Sequence, residues 1–420
     1  MNNRILAMST AIVCAVAIGG CGLLEDGGKG RTKVTVWLMK DSASNDFIER
    51  FTTDYEKEHK DVELEFKIQE WGGIGPKVTA ALTGAKGAET PDVIEVGNTQ
   101  VAQYAESGGL LDLTLESMRD LGGKDWQPGL AEPGSINGVQ YGIPWYAANR
   151  VVIYNKDLFE KAGITELPKT REEWIDATEK LNKDGNQGIY LAGQNWYVLS
   201  GFIWDEGGQL AVEKGGDWAG ALDTPAALKG MEFYEELQAL GDGPKDADEE
   251  KPPQSGVFAG GKVAQIISVP GSAAGIEKAN PALKGKLGYF PIPGKTAKRP
   301  GSVFTGGSDL IVPERARQRS AGIEVVKALA GEKWQAELAK AMNVVPNKTT
   351  LADVNNGEEG PAAMARAAAA GRATPNSPRW ADVEAENPIK PYMTAVLQGR
   401  DPKKAAKEAS DLITDLLARR

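Results

Sequence analysis

One histidine, His59, and two cysteines, Cys14 and Cys21, are all that 420 residues contain of the two most versatile metal-binding side chains. A zinc centre built on His and Cys, and a disulfide framework, are therefore without material. The lone histidine sits in a charged helix tail, far from any serine turn, which leaves no Ser-His arrangement for nucleophilic catalysis. Positive charge is also in deficit: 48 Lys and Arg face 58 Asp and Glu, a net charge of −10. That balance argues against nucleic acid or an anionic membrane surface as partner. The apolar run from Ile5 to Ile18 is shorter than the roughly 20 residues a permanent span needs. No internal repeat stands out. What is present is ordinary: 41% hydrophobic and 25% charged residues, in a chain long enough for two domains with full cores.

Both cysteines fall in the first 21 residues, where they read as targeting rather than fold. Arg4, the apolar run and then Ile18-Gly19-Gly20-Cys21 resemble the lipobox of bacterial lipoproteins. The resemblance implies cleavage before Cys21 and acylation of its thiol; the alternative is an ordinary signal peptide with an incidental cysteine. Residues 1–20 are expected to be the signal, and the Gly-rich, charged residues 21–32 a flexible tether.

After the tether the hydrophobic pattern alternates between the periods of strand and helix. Lys33 to Leu38 reads as a strand, Phe47, Ile48, Phe51 and Tyr55 mark one helix face, and Val62 to Ile68 alternates strictly. Val78 and Leu82 share a second helix, and Pro91 to Val96 is a third strand. This order predicts an α/β fold with a parallel sheet. Tyr141 to Phe159 begins at a Gly-Ile-Pro turn, presents Trp145 and Tyr146, and runs apolar into Asn155. It reads as a crossing between two bodies, with both aromatics at the mouth between them. Beyond it, Thr170 and Glu173 have capping-box spacing, and Thr224-Pro225 sets an N-cap before a first-turn proline. Strands are expected at Gly188 to Leu191, Val263 to Val269, Leu287 to Pro293 and Gly306 to Val312. Helices are expected around Ile323 to Leu329, Trp334 to Met342, and through the alanine-rich tail. Gly306 to Ser308 and Val344 to Asn347 read as further crossings. Lobe one is thereby expected at 33–145 plus 309–342, and lobe two at 146–308 plus 343–420.

Open α/β sheets place ligands at the carboxyl ends of their strands. Here those ends carry Lys40 and Asp41, Trp71, Asn98, Tyr146, Asn195 and Trp196, Ser272, and Gly307 with Ser308. Trp204 and the pair Arg379-Trp380 add aromatic–polar clusters in loop-like contexts. Recurrent aromatic faces among amides, hydroxyls and glycines suit a sugar, whose ring has an apolar C–H face and a polar rim. An anionic ligand would want convergent Arg or Lys, and only Lys40 stands at these ends. Trp37, Trp174 and Trp334 occupy periodic apolar positions and are assigned to the core.

Three catalytic-looking signals are set aside. Gly256 to Val263 nearly spells a phosphate-binding loop, but Val263 stands where the magnesium hydroxyl belongs and a strand follows. Gly271-Ser272-Ala273-Ala274-Gly275 is not a nucleophile elbow. Glu70 with Asp205 or Glu206 could pose as a glycosidase acid–base pair, but carboxylates near aromatics are equally expected in a binding site.

Taken together, Pro91 to Ile94, Ser107 to Leu113, Tyr141 to Pro144, Tyr154 to Phe159, Thr170 to Trp174, Phe258 to Ala264 and Val345 to Asn347 resemble, in order and spacing, one family. It is the family 1 extracellular solute-binding proteins of bacterial ABC transporters, the maltose-binding-protein group. Trp37 to Asp41, Gln69 to Trp71, Ile94 to Gln100, Pro144 to Ala147, Gly193 to Tyr197, Gly201 to Gly208, Phe290 to Thr296 and Phe304 to Asp309 are more narrowly similar to actinomycete lipoproteins that bind N,N′-diacetylchitobiose. Pro270-Gly271-Ser272 departs from that group, where a bulkier aromatic–acidic pair is expected. The resemblance implies a two-lobed periplasmic-binding-protein fold of type II, each lobe a mainly parallel sheet flanked by helices, with the ligand cleft between them. It further implies hinge closure on a small oligosaccharide and delivery to two ABC permease subunits and, through them, a cytoplasmic ATPase. A monomer on the outer face of the cytoplasmic membrane, held by its lipid alone, is expected, with no catalytic residue, metal or cofactor. Cellobiose or maltose-type sugars, a secreted glycoside hydrolase, and a displayed scaffold are the alternatives.

Overall fold

The computed structural model describes residues 30–355 and 357–419. Cys21, the signal residues 1–20 and most of the tether lie outside the described residues. The first strand, Thr32–Met39, begins one residue earlier than the pattern placed it.

Seven strands form the larger sheet, and its centre explains the alternation of the sequence. Thr32–Met39 pairs in parallel with Val62–Gln69 on one side and Val93–Gly97 on the other. Along the first strand, Val34, Val36 and Leu38 enter one buried cluster with Phe47, Phe51, Leu310 and Trp334. Trp37 and Met39 enter a second with Val78, Leu82, Ile94 and Ile311. Adjacent residues of a strand point to opposite faces, so a sheet covered by helices on both sides needs apolar residues at successive positions. The helix Asn45–Glu58 is capped by Ser44, whose side chain accepts from the Phe47 N–H, and lays Phe47, Phe51 and Tyr55 on the sheet.

Apart from the short strand Gly371–Arg372, which pairs in parallel with the start of Val303–Ile311, the rest of the larger sheet is antiparallel. The long strand Val303–Ile311 runs against both Val93–Gly97 and the crossing strand Ile143–Asn149, and Val345–Pro346 completes the edge. A small sheet holds Val151–Asn155 between Gln265–Ser268 and Leu287–Phe290, also antiparallel. Where mainly parallel sheets were expected, parallel pairing is confined to the first three strands and the short strand Gly371–Arg372. The cause is connectivity: a strand that returns from the other body enters the sheet against the one that left. Gly188 to Leu191 likewise forms only isolated bridges to the small sheet, at Gln187 and Tyr190.

A third and largest buried cluster surrounds the small sheet, with Val151, Val152, Ile153, Trp174, Phe202, Ile266 and Trp380 among its members. The capping box at Thr170 and Glu173 and the Thr224 cap start two of its helices, Arg171–Leu181 and Pro225–Gln238. The helix Trp196–Asp205 lies so close to the long strand that a Cβ on Gly201 would stand 2.3 Å from the Ser302 carbonyl oxygen. The long strand itself joins the bodies: Val303 and Phe304 belong to the small-sheet cluster, Leu310 to the large-sheet one. No helix among the described residues is long and apolar enough to cross a membrane.

Candidate functional site

Where the crossing strand and the long strand run side by side, a cleft of about 290 Å³ opens between the two bodies. Its large-sheet wall consists of Trp71, Asn98, Thr99, Tyr146 and the backbone of Gly306 to Ser308. Its other wall is Tyr197, Phe304 and Glu384.

The large-sheet wall follows from strand ends. Asn98 and Thr99 open a short 3₁₀ turn directly after Val93–Gly97. The Asn98 side chain donates to the Thr305 carbonyl oxygen at 3.0 Å, tying the strand end to the crossing. Trp71 stands on the loop after Val62–Gln69, 42% exposed, with its ring over Gly97. Tyr146 shares a short hydrogen bond of 3.0 Å with the Ser42 hydroxyl and donates to Glu95 at 3.4 Å. Glu95 is fully buried and accepts the Met39 N–H at 2.6 Å; burial pushes its carboxyl up to about 7. Burial, with the nearby Glu95 carboxyl, also drives the Tyr146 phenol far above its usual range. Gly307 lets the two crossing backbones touch, because a Cβ there would meet the Tyr146 carbonyl oxygen at 2.2 Å.

The opposite wall is built from helices and the start of the long strand. Tyr197 stacks on Phe304 with ring centres 4.8 Å apart and planes at 26°. The Arg150 guanidinium lies over the Tyr197 ring at 4.3 Å and pairs with Glu249 at 2.9 Å. Glu384 accepts the Trp380 indole N–H at 3.1 Å and, across the cleft, the Thr99 hydroxyl at 3.0 Å. Burial raises the Glu384 carboxyl to about 7, and these two donors pull it partly back. It pushes the Tyr197 phenol up to about 12.

Of the residues singled out from the sequence, Trp71, Asn98, Tyr146, Gly307 and Ser308 meet in this cleft. The others are placed elsewhere. Lys40 pairs with Glu70 at 3.1 Å on the surface, and Asp41 is exposed in a left-handed turn at φ 65°. Asn195 is buried and caps the helix Trp196–Asp205 by accepting from the Val198 N–H. Trp196 and Trp204 on that helix are packed into the small-sheet core, since the helix is apolar nearly all round. Trp196 lies beneath Tyr197, ring centres 4.2 Å apart, so the next residue presents the aromatic face. Trp380 is fully buried against the C-terminal helix bundle, its indole N–H committed to Glu384. Arg379 reaches Glu106 at 3.4 Å rather than the cleft. Ser272 begins the helix Ser272–Ala279 and turns its hydroxyl to Ser268 and the Val269 carbonyl, away from the cleft.

Trp145, expected at the mouth, is instead buried in the large-sheet core. The pairing register shifts at this point, so Trp145 is the extra residue of an irregularity and packs beneath Tyr146 on the same cluster, ring centres 5.3 Å apart. Thr99, which follows Asn98 at its strand end, lines the cleft as well; Tyr197, Phe304 and Glu384 were not among the candidates. Trp380 and Glu384 are four residues apart on one helix, the spacing at which side chains meet, and that was the legible signal for the carboxyl. Asp205 and Glu206, the would-be glycosidase partners, are held by Arg171 at 3.2 and 2.9 Å, while Glu70 is at the surface with Lys40.

Two sheet-centred bodies joined by crossing strands, with an aromatic and polar cleft between them, define a two-lobed binding protein. The chain belongs to the bacterial extracellular solute-binding protein family, whose model matches residues 40–336. The diacetylchitobiose binding protein DasA of Streptomyces coelicolor is 38% identical over 429 residues, covering 100% of this chain and 99% of that one. The maltodextrin-binding protein MdxE of Bacillus subtilis is 23% identical, over 90% and 89% of the two chains. Among solved structures, the sugar-binding protein MalE from Xanthomonas citri superposes with a TM-score of 0.82 at 20% identity, covering 92% of this chain and 98% of that one. The GacH receptor of Streptomyces glaucescens, solved unliganded and with acarbose, gives 0.75 at 25% identity over 92% and 98%. These neighbours share the type II periplasmic sugar-binding fold.

Proposed function

We propose that this chain captures N,N′-diacetylchitobiose, or a related N-acetylglucosamine oligomer, in the cleft between its lobes and hands it to an ABC importer. The observation that carries the reading is the full-length 38% identity to a diacetylchitobiose binding protein. The cleft supports it chemically. Trp71 offers an exposed apolar face for a sugar ring and the Tyr197–Phe304 pair an apolar border, while Asn98, Ser308 and Glu384 offer polar groups for hydroxyl and acetamido rims. Its 290 Å³ is at the low end of the roughly 300–1,000 Å³ of small-molecule sites, a scale suited to a short oligosaccharide.

Ligand touching both walls binds the closed arrangement better than an open one and shifts the population toward it. The lobes divide at 145/146, 308/309 and 342/343; Trp145 and Leu310 in the large-sheet cluster against Ala147, Val303 and Phe304 in the small-sheet one support this, while Leu130 and Tyr146 pack across the division. Cys21 carries the lipid anchor, the lipid alone holds the protein to the outer face of the membrane, and the chain acts as a monomer toward two permease subunits and their ATPase. On this reading no bond is made or broken; the acid–base pair weighed from the sequence is dispersed, with Asp205 and Glu206 held by Arg171 and Glu70 at the surface.

Isothermal titration with diacetylchitobiose, N-acetylglucosamine, cellobiose and maltose tests the reading. Tight binding of the acetylated dimer, with weak binding of the others and no product by chromatography, is the expected result. Preference for maltose or cellobiose would move the chain to another sugar of the same class, a reading favoured by its maltodextrin- and acarbose-binding neighbours. Turnover of any disaccharide would sink the transport reading. Mass spectrometry of the mature N-terminus tests the anchor, and gel filtration the monomer.

A further inference from the structure

Most hydrogen-bonding groups at the cleft are already engaged. The Asn98 amide donates to Thr305, the Tyr146 hydroxyl is held by Ser42 and Glu95, and the Thr99 hydroxyl is given to Glu384. The Ser308 hydroxyl is buried without a hydrogen-bond partner, and Glu384 has acceptor capacity to spare. A carboxylate offers about four acceptor positions, and the Thr99 hydroxyl and Trp380 indole N–H occupy one on each oxygen. No lysine or arginine lines the cleft among the described residues, so the spare positions face no cation there. Thr99 and Glu384 also stand on opposite walls, and their hydrogen bond is a direct link between them.

We propose that Glu384 is a specificity-determining acceptor: it receives a hydroxyl or amide N–H of the bound sugar while holding Thr99 across the cleft, so that recognition and closure pass through one side chain. The proposal rests on the sugar reading of the cleft.

Its surroundings give the carboxyl a proton-dependent signature. On its own helix, Asp382 stands beside it in sequence, Glu386 pairs with Arg419 of the C-terminal helix, and Arg379 pairs with Glu106. On the same wall, Tyr197 stands near enough to feel its charge, and Arg150 above that ring is matched by Glu249. Burial therefore dominates and holds the group near 7. A ligand donor in a spare acceptor position favours the ionised form. Bound sugar then lowers the pKa, and affinity rises as pH increases through about 7.

The test is isothermal titration of the full chain and of Glu384→Gln with diacetylchitobiose between pH 5.5 and 8.5, ranges chosen as roughly one and a half units either side of the titration. The amide is isosteric, and matched thermal melts check folding. The wild type should gain about five-fold or more in affinity from roughly pH 6 to 8, the size a shift of about one unit produces. Glu384→Gln should bind about ten-fold more weakly at the upper end and show no pH dependence. Thr99→Val should weaken binding by a smaller factor and keep the slope, because the carboxyl remains. A flat wild-type profile overturns the proposal. So does a slope that survives in Glu384→Gln, which would assign it to another group such as Glu95. A wild type that binds no sugar at any pH overturns both the proposal and the sugar reading beneath it, a result distinct from the first two.

Discussion

The cleft's large-sheet wall is made of residues that follow strands: Trp71, Asn98 and Thr99 stand just past strand ends, and Tyr146 lies in the crossing strand. The facing wall draws Tyr197 from the first turn of one helix and Glu384 from another, with Phe304 from the start of the long strand. One wall keeps an aromatic in water and holds Asn98 by the Thr305 backbone and Tyr146 by the Ser42 and Glu95 side chains. The other buries three tryptophans and exposes what lies beside them. The difference shows that the second wall is the surface of a core, so the same side chains there serve both stability and binding.

Removing Trp380 is the strongest way to test that contrast. Trp380→Ala should cost about 3–5 kcal/mol of folding stability, as for other fully buried aromatics, and release Glu384 from its indole donor. Urea denaturation measures it. A loss under about 1 kcal/mol would show that the helical wall is not part of the core.

Glu95 sharpens the comparison from the strand side. Its folded pKa of about 7 lies above the ordinary value of 4.5, so the folded state retains a proton that the unfolded chain releases. That contribution is fully present below about pH 4.5 and is lost as pH rises through about 7, by up to about 3 kcal/mol. Glu384 and Asp309, also raised by burial, act in the same direction. The urea midpoint should therefore fall between pH 4.5 and 7.5, and less steeply in Glu95→Gln. A midpoint that rises across this window contradicts the assignment.

Gly307→Ala tests the seam between the walls. Its Cβ would press on the Tyr146 carbonyl oxygen at 2.2 Å and on Leu130, which should cost about 1–3 kcal/mol in the same assay. Trp71→Ala is the mildest for folding, within about 1 kcal/mol, because the ring is 42% exposed. Its effect should appear in binding instead, about ten-fold in affinity for a sugar that stacks on it. Stability lost with affinity unchanged would reverse the roles of the two walls.

How much of this was legible depended on which wall a residue occupies. Strand ends are visible in sequence because a short apolar run stops at a polar or glycine cluster, and Trp71 and Asn98, found that way, do stand just past strands in the cleft; Tyr146, Gly307 and Ser308 also meet there but lie within strands. On helices a single position turns the side chain by about 100°, enough to exchange Trp196 for Tyr197. Trp145 and Tyr146 are separated by a shift in strand register that no sequence pattern announces, with the same consequence. Aromatic size drew attention to the tryptophans, yet it is the largest apolar rings that a core most readily takes in.

Apolar periodicity, the caps at Ser44, Thr170 and Thr224, and the ordered family motifs were enough to determine an α/β chain of the solute-binding family. These are local properties, set by which side chains a strand or helix can bury and how its ends are satisfied. Tertiary structure alone decided that the long strand returns antiparallel, that Trp204 and Trp380 face inward, and that Thr99 meets Glu384 across 285 residues of chain. Such contacts depend on how one wall packs against the other, and no spacing along the chain records that distance.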